Sequence, residues 1–276
     1  MIGAVRLRVA DVERVRAYYE RAIGLRTLDR EGDLVRLGAD TPLVELVGDA
    51  GAPPAPARST GLFHLAILVP SRADLARSVR RVVAAGERFT GTSDHFVSEA
   101  LYLRDPEGNG IEIYRDRPRS EWEYEPDGEL RMGTVALDLD GVMAELPAPR
   151  EPGEAEVGDE ASTDEPEVGD EAEGRGRDGM PDGTVIGHVH LHVADLGPAE
   201  AFYAGELRLD VTVRSYPGAL FLSDGGYHHH VGLNTWAGEG APPPPPGSRG
   251  LEWFELRRPG SGLVSDPSGN RVLLRG

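Results

Sequence analysis

The chain of 276 residues carries a formal net charge of −18, with 47 acidic side chains against 29 basic ones, and it contains no cysteine. Without thiols there is no disulfide framework, no thiolate nucleophile and no sulfur-bound metal, so any metal must rest on imidazole nitrogen and carboxylate oxygen. The acidic balance disfavours nucleic acid as a partner, no apolar run reaches the length of a membrane span, and the opening residues lack a signal peptide's basic start and apolar centre. A soluble cytoplasmic protein is expected.

In chain order, Ile2-Gly3-Ala4-Val5-Arg6-Leu7-Arg8-Val9-Ala10-Asp11 opens as an alternating strand that runs into an amphipathic helix bearing Ala17-Tyr18-Tyr19. A second opening strand begins at Gly61-Leu62-Phe63-His64-Leu65, and its unit closes on the turn Asp105-Pro106-Glu107-Gly108-Asn109 and the strand Gly110-Ile111-Glu112-Ile113-Tyr114. From 143 to 183 the chain is crowded with Glu, Asp, Pro and Gly and nearly free of large apolar groups; it cannot bury enough surface to offset its ordering entropy and is expected to be a disordered linker. Ile186-Gly187-His188-Val189-His190-Leu191-His192-Val193-Ala194-Asp195 then aligns without a gap on residues 2–11, and Ala201-Phe202-Tyr203 on Ala17-Tyr18-Tyr19. The run Pro242 to Pro246 reads as a rigid extended loop. A last unit opens at Gly250-Leu251-Glu252-Trp253-Phe254 and closes on Asp266-Pro267-Ser268-Gly269-Asn270, an interval about 28 residues shorter than in the second unit.

These are four repeats. The expected fold is α+β, with four βαβββ modules, the fourth truncated, forming two cup-shaped mixed sheets. Residues 1–120 would hold two modules, and 184–276 one full and one truncated module. Period-two alternation puts His188, His190 and His192 on one face of their strand and Val189, Leu191 and Val193 on the other; Glu112 likewise points away from Ile111 and Ile113. Taken singly, His64 and Glu112 read as ordinary strand residues, and Tyr102 as a core tyrosine with a satisfied hydroxyl.

The modules, with their opening Gly-x-Val-x-Leu-x-Val-x-Asp and closing Asp-Pro-x-Gly-Asn, resemble the vicinal-oxygen-chelate superfamily. It includes glyoxalase I, extradiol ring-cleavage dioxygenases and the fosfomycin- and bleomycin-resistance proteins. Phe63 to Leu68, Asp94-His95 with Val97 to Leu103, and Gly226 to Asn234 look more closely like the four-module catechol 2,3-dioxygenase proteins of bacilli. The resemblance implies metal ligands at His64, Glu112 and His188, a two-histidine, one-carboxylate set that requires the second and third modules to pair. The equivalent positions elsewhere are Ala4, Trp253 and Leu273. It further implies Fe(II), with Mn(II) suited to the same donors, an acid-base histidine at His230, and substrate-binding roles for His95 and Tyr102. The expected substrates are a catechol-like or hydroquinone-like aromatic and dioxygen, and such modules often associate as homo-oligomers. A glyoxalase-like lyase or isomerase, which needs a second carboxylate, and a drug-sequestering protein without chemistry are the alternatives.

Overall fold

The structure, a computed structural model, describes residues 1–146 and 179–276; most of the expected acidic linker lies outside the described residues. The first module comprises β1 (Ile2–Val9), α1 (Val12–Tyr18), β2 (Arg26–Glu31), β3 (Leu34–Gly38) and β4 (Pro42–Gly48). The second comprises β5 (Gly61–Leu68), α2 (Arg72–Ala84), β6 (Gly91–Asp94), β7 (Ser98–Arg104) and β8 (Gly110–Asp116), after which the chain forms the short α3 (Leu139–Met143). The third has β9 (Val185–His192), α4 (Leu196–Glu200), β10 (Asp210–Val213), β11 (Ala219–Ser223) and β12 (Val231–Asn234). The fourth is reduced to β13 (Gly250–Arg257), β14 (Ser261–Ser265) and β15 (Arg271–Arg275), with no helix among its described residues. The fold is α+β.

The strands form two mixed sheets, in the orders β14-β15-β13-β1-β4-β3-β2 and β10-β11-β12-β9-β5-β8-β7-β6. Each sheet thus takes one module from either half of the chain: the first pairs with the fourth, and the second with the third. β5 runs antiparallel to β9 and parallel to β8. Alternation sorts the side chains as the residue pattern predicts: Leu65 and Ile67 of β5, Ile111 and Ile113 of β8, and Val189 and Leu191 of β9 are fully buried in one continuous apolar core. Burying each such side chain is worth about 1.5–3 kcal/mol. His64, Glu112 and His188 are left on the opposite, concave faces.

Helix starts follow local chemistry. The Asp11 side chain accepts from the Arg14 N–H and that of Ser71 from the Asp74 N–H, occupying donors that have no partner within the helix. The Asp-Pro-x-Gly-Asn turns do more than reverse the chain. Asp105 Oδ1 accepts from the Glu107 and Asn109 backbone N–H groups at 2.8 and 2.9 Å, and its Oδ2 accepts from Asn109 Nδ2 at 2.7 Å. Glu107 then accepts from the backbone of Ala10 and Asp11, which ties the second module to the first. In the other half, Asp266 holds Ser268 and Asn270 in the same way, and Ser268 Oγ accepts from the Ala194 N–H. Turns join modules within a half, and strands join modules between halves.

Replacing Asp105 by Ala leaves buried N–H groups without acceptors and should lower unfolding free energy by about 2–3 kcal/mol, measured by urea denaturation. Asp266→Ala should cost at least as much, because Tyr203 Oη also donates to Asp266 Oδ2 at 3.1 Å.

Candidate metal centre

The register of β5, β8 and β9 determines which polar atoms meet. Ala66 lies opposite both Glu112 and His188, and His64 lies opposite His190. His64 and His188 are therefore diagonal neighbours on one face, within reach of long side chains. Their Nε2 atoms are 3.4 Å apart, and Glu112 Oε2 is 2.9 Å from that of His64 and 3.1 Å from that of His188. All three residues are buried, at 5%, 2% and 2% exposure in the order His64, Glu112, His188.

Three donor atoms separated in this way match one face of an octahedron, whose adjacent vertices are about 3.0 Å apart for metal–ligand bonds of about 2.1 Å. The charge state fits as well. Burial raises the Glu112 carboxyl, yet the imidazoles of His188 and His64 hold it well below the usual carboxylate range, so it is ionised at neutral pH. Burial pushes His188 down to about 4 against the opposing pull of Glu112, leaving it neutral with a lone pair to give. Among the described residues no fourth histidine or carboxylate joins the cluster. The residues fit a divalent metal held by two imidazoles and one carboxylate, with open positions for other ligands.

This cluster lies in the wall of a cavity of about 340 Å³, whose remaining lining includes the aromatic rings of Phe63, Tyr216, Phe221 and Trp236. Phe63 and His64 both reach it although they are consecutive. A break in the β5–β9 register between Leu62 and His64 allows this, as bulges do where a strand must re-aim a side chain. Gly110 is required beside them, since a Cβ there would lie 2.0 Å from the Phe63 carbonyl oxygen. The chain after β8 adds to the cavity wall: Trp122, Leu130 and Met132 pack against Val97 of the second module and Val213 and Phe221 of the third, and Met132, Gly133 and Thr134 line the cavity.

His95 and Tyr102 meet in the cavity wall. His95 Nδ1 donates to the Gly133 carbonyl at 2.6 Å, which leaves Nε2 to accept from the Tyr102 hydroxyl at 2.7 Å. Burial, then the nearby Glu112 carboxylate, raise the Tyr102 phenol well above its ordinary value, so it stays protonated. His190 also faces the cavity, with its ring centroid 5.1 Å from that of His64.

The histidine run is arranged differently from the sequence expectation. His230 does not line the cavity: its Nδ1 accepts from the Asp224 N–H at 3.1 Å and its ring packs on Tyr227. His229 lines the cavity instead, with its ring centroid 4.1 Å from that of His188. Period-two alternation would set His229 on the face opposite His228 and His230, but it holds only in extended chain, and β12 does not begin until Val231. Gly225 and Gly226, at φ of 65° and 67°, turn the segment just before the run. Behind His229 lies a chain of hydrogen bonds. His228 Nε2 donates to Asp116 Oδ1 at 2.9 Å, so its Nδ1 accepts from His229 Nδ1 at 2.7 Å, leaving His229 Nε2 as a free acceptor. Tyr227 also donates to Asp116, at 3.0 Å. Asp116 and the segment with Met132 carry no spacing in the sequence that marks them, and within the histidine run the resemblance points to His230 rather than His229.

The other sheet contains the same carboxylate position with a different cation. Arg6 lies opposite Glu45 and Trp253, as Ala66 lies opposite Glu112 and His188. There the Arg6 guanidinium donates to Glu45 from Nε at 2.8 Å and stacks 4.7 Å over the Trp253 ring. A fixed side-chain cation neutralises this carboxylate. Each of His64→Ala, Glu112→Ala and His188→Ala should therefore reduce retained metal by more than about 10-fold, a loss that even outer-shell partners can cause, as measured by elemental analysis after anaerobic purification. Arg6→Ala should retain metal while losing about 1–3 kcal/mol of stability, between the values for an exposed and a fully buried pair because Arg6 is partly exposed.

The sequence profile of the Glyoxalase/Bleomycin resistance protein/Dioxygenase superfamily matches residues 1–113. The chain is 41% identical over 263 residues to a protein of Bacillus subtilis (strain 168) named catechol-2,3-dioxygenase, spanning 94% of this chain and 82% of that one. Its fold is similar to that of a Bacillus subtilis protein provisionally named a dioxygenase (TM-score 0.60, 12% identity, 99% of this chain and 84% of that one). It is also similar to that of glyoxalase I from Zea mays (TM-score 0.55, 16% identity, 99% of this chain and 91% of that one). A chain alike in sequence to one member over nearly its whole length, and alike in fold to others, belongs to the glyoxalase/bleomycin resistance protein/dioxygenase superfamily.

Proposed function

We propose that this protein is a metal-dependent extradiol ring-cleavage dioxygenase acting on a catechol-like aromatic. The observation that carries the reading is the convergence of His64 Nε2, His188 Nε2 and Glu112 Oε2 on one point in the wall of an aromatic cavity. The name of the 41% identical relative supports it. A glyoxalase-like lyase is disfavoured, because among the described residues no second carboxylate joins the three donors.

His64, Glu112 and His188 would hold Fe(II), with Mn(II) the alternative for the same donors; such an ion supplies Lewis acidity toward two neighbouring substrate oxygens and electrons for dioxygen. The flat walls formed by Phe63, Phe221 and Trp236 would position an aromatic ring and exclude water. His229 takes the acid-base role expected of His230. Burial and the surrounding imidazoles hold its basicity well below that of an ordinary histidine, so it is neutral at pH 7 and its Nε2 can accept a substrate hydroxyl proton. The positive charge that develops would be shared through His228 with Asp116. Tyr102, fixed by His95, would hold the second substrate oxygen or the reacting centre by hydrogen bond.

The test is oxygen uptake with catechol by protein purified anaerobically and loaded with Fe(II), together with the absorbance of the semialdehyde product. Uptake and product in equal amounts are expected. Tight binding of catechol without uptake would favour a sequestering protein. His229→Ala should lower kcat by about 10²–10⁴-fold, the range for a lost proton-transfer group, while His230→Ala should change it less than about threefold. The reverse pattern would return the role to His230.

A further inference from the structure

The cavity is electrically uneven along one row of the sheet. Across β9, β5, β8 and β7, His190, His64, Gly110 and Arg104 stand side by side. Gly110 puts no side chain between His64 and Arg104; the Phe63 carbonyl oxygen lies over it, and Gly110 itself lines the cavity. Two interstrand spacings separate these strands, about 9.6 Å. Arg104 alternates with Tyr102 on β7 and, like it, lines the cavity. Among the cavity-lining residues it alone bears a permanent positive charge, in a chain of net charge −18. One guanidinium nitrogen donates to the Gly108 carbonyl at 2.9 Å, and among the described residues no carboxylate pairs with it.

We propose that Arg104 is a specificity residue that selects catechols carrying an anionic ring substituent, a carboxylate above all. The inference rests on the reading of the cavity as a site for a catechol-like aromatic. With the diol at the three-ligand cluster, a ring laid past Gly110 extends a substituent away from His64 toward Arg104 of β7, which lines the same cavity. A carboxylate arriving there loses water and needs a charged donor, which the guanidinium provides through its unused N–H groups. An uncharged substituent gains nothing from it. Because Arg104 is exposed at the cavity mouth, the interaction is screened by salt and its effect is moderate.

The experiment compares protocatechuate, its uncharged amide and catechol on the Fe(II)-loaded, full-length protein. Binding is measured anaerobically by calorimetry, and turnover separately by oxygen uptake. Protocatechuate should bind about tenfold or more tighter than the amide, as expected for a charge-assisted hydrogen bond partly open to water. The difference should shrink as salt rises. Arg104→Gln should abolish the preference and Arg104→Glu should invert it; because the side chain is exposed both variants should fold, and unchanged circular dichroism checks this. Equal binding of protocatechuate and its amide by the unaltered protein, or a preference that survives in Arg104→Gln, would overturn the proposal while leaving the dioxygenase reading intact if catechol is still cleaved. A charge preference lost in Arg104→Gln but with no oxygen uptake from any compound would support the role of Arg104 and overturn the dioxygenase reading. Failure to bind any of the three would overturn both.

Discussion

The antiparallel pairing of β5 with β9 is the contact on which the rest of the molecule depends. It joins residues separated by more than a hundred positions, fuses two modules into one eight-stranded sheet, and sets His64 diagonally across from His188. A slip of one residue in this register would turn the imidazoles into the apolar core and bring Leu65 and Val189 to the cavity. The core forbids such a slip, since both are fully buried against it. Hydrophobic packing on one face thereby enforces the polar geometry on the other.

That geometry places an ionised carboxylate where water cannot reach it. An isolated buried charge is costly, and the two sheets resolve the same problem by different means. Glu45 is satisfied by Arg6, a cation built into the chain and held by Trp253. Glu112 faces two imidazoles and no fixed cation, and their nitrogens beside it define where a metal would sit. The shortened fourth module places its strands in the first sheet, where there is no equivalent donor set, while its turn ties it to the third module through Ser268 and Asp266.

The segment after β8 and the histidine run show how second contacts shape the cavity. Gly133 fixes the tautomer of His95 through a carbonyl, and His95 in turn orients Tyr102. Asp116 does the equivalent for His228 and His229. In both chains the residue facing the cavity is a neutral donor or acceptor, and the atom that orients it comes from backbone or from a carboxylate farther out.

The repeat and the α+β modules were legible in the linear pattern, because alternation of period two assigns each strand residue to a face without reference to its partners; His64, Glu112 and His188 were singled out as candidate ligands by family resemblance and not by that alternation. The role of His230 could not be read in the same way. Its face depends on turns at Gly225 and Gly226 and on a strand that begins later than the pattern suggests, and the structure turns His229 inward instead. Met132 to Thr134, Asp116 and the place of Arg104 in the cavity were also invisible, for they matter only through neighbours far away in sequence. What the residues determine by themselves is the face on which each side chain lies; which faces meet, and at what distance, is decided by strand register and packing, which are properties of the folded chain.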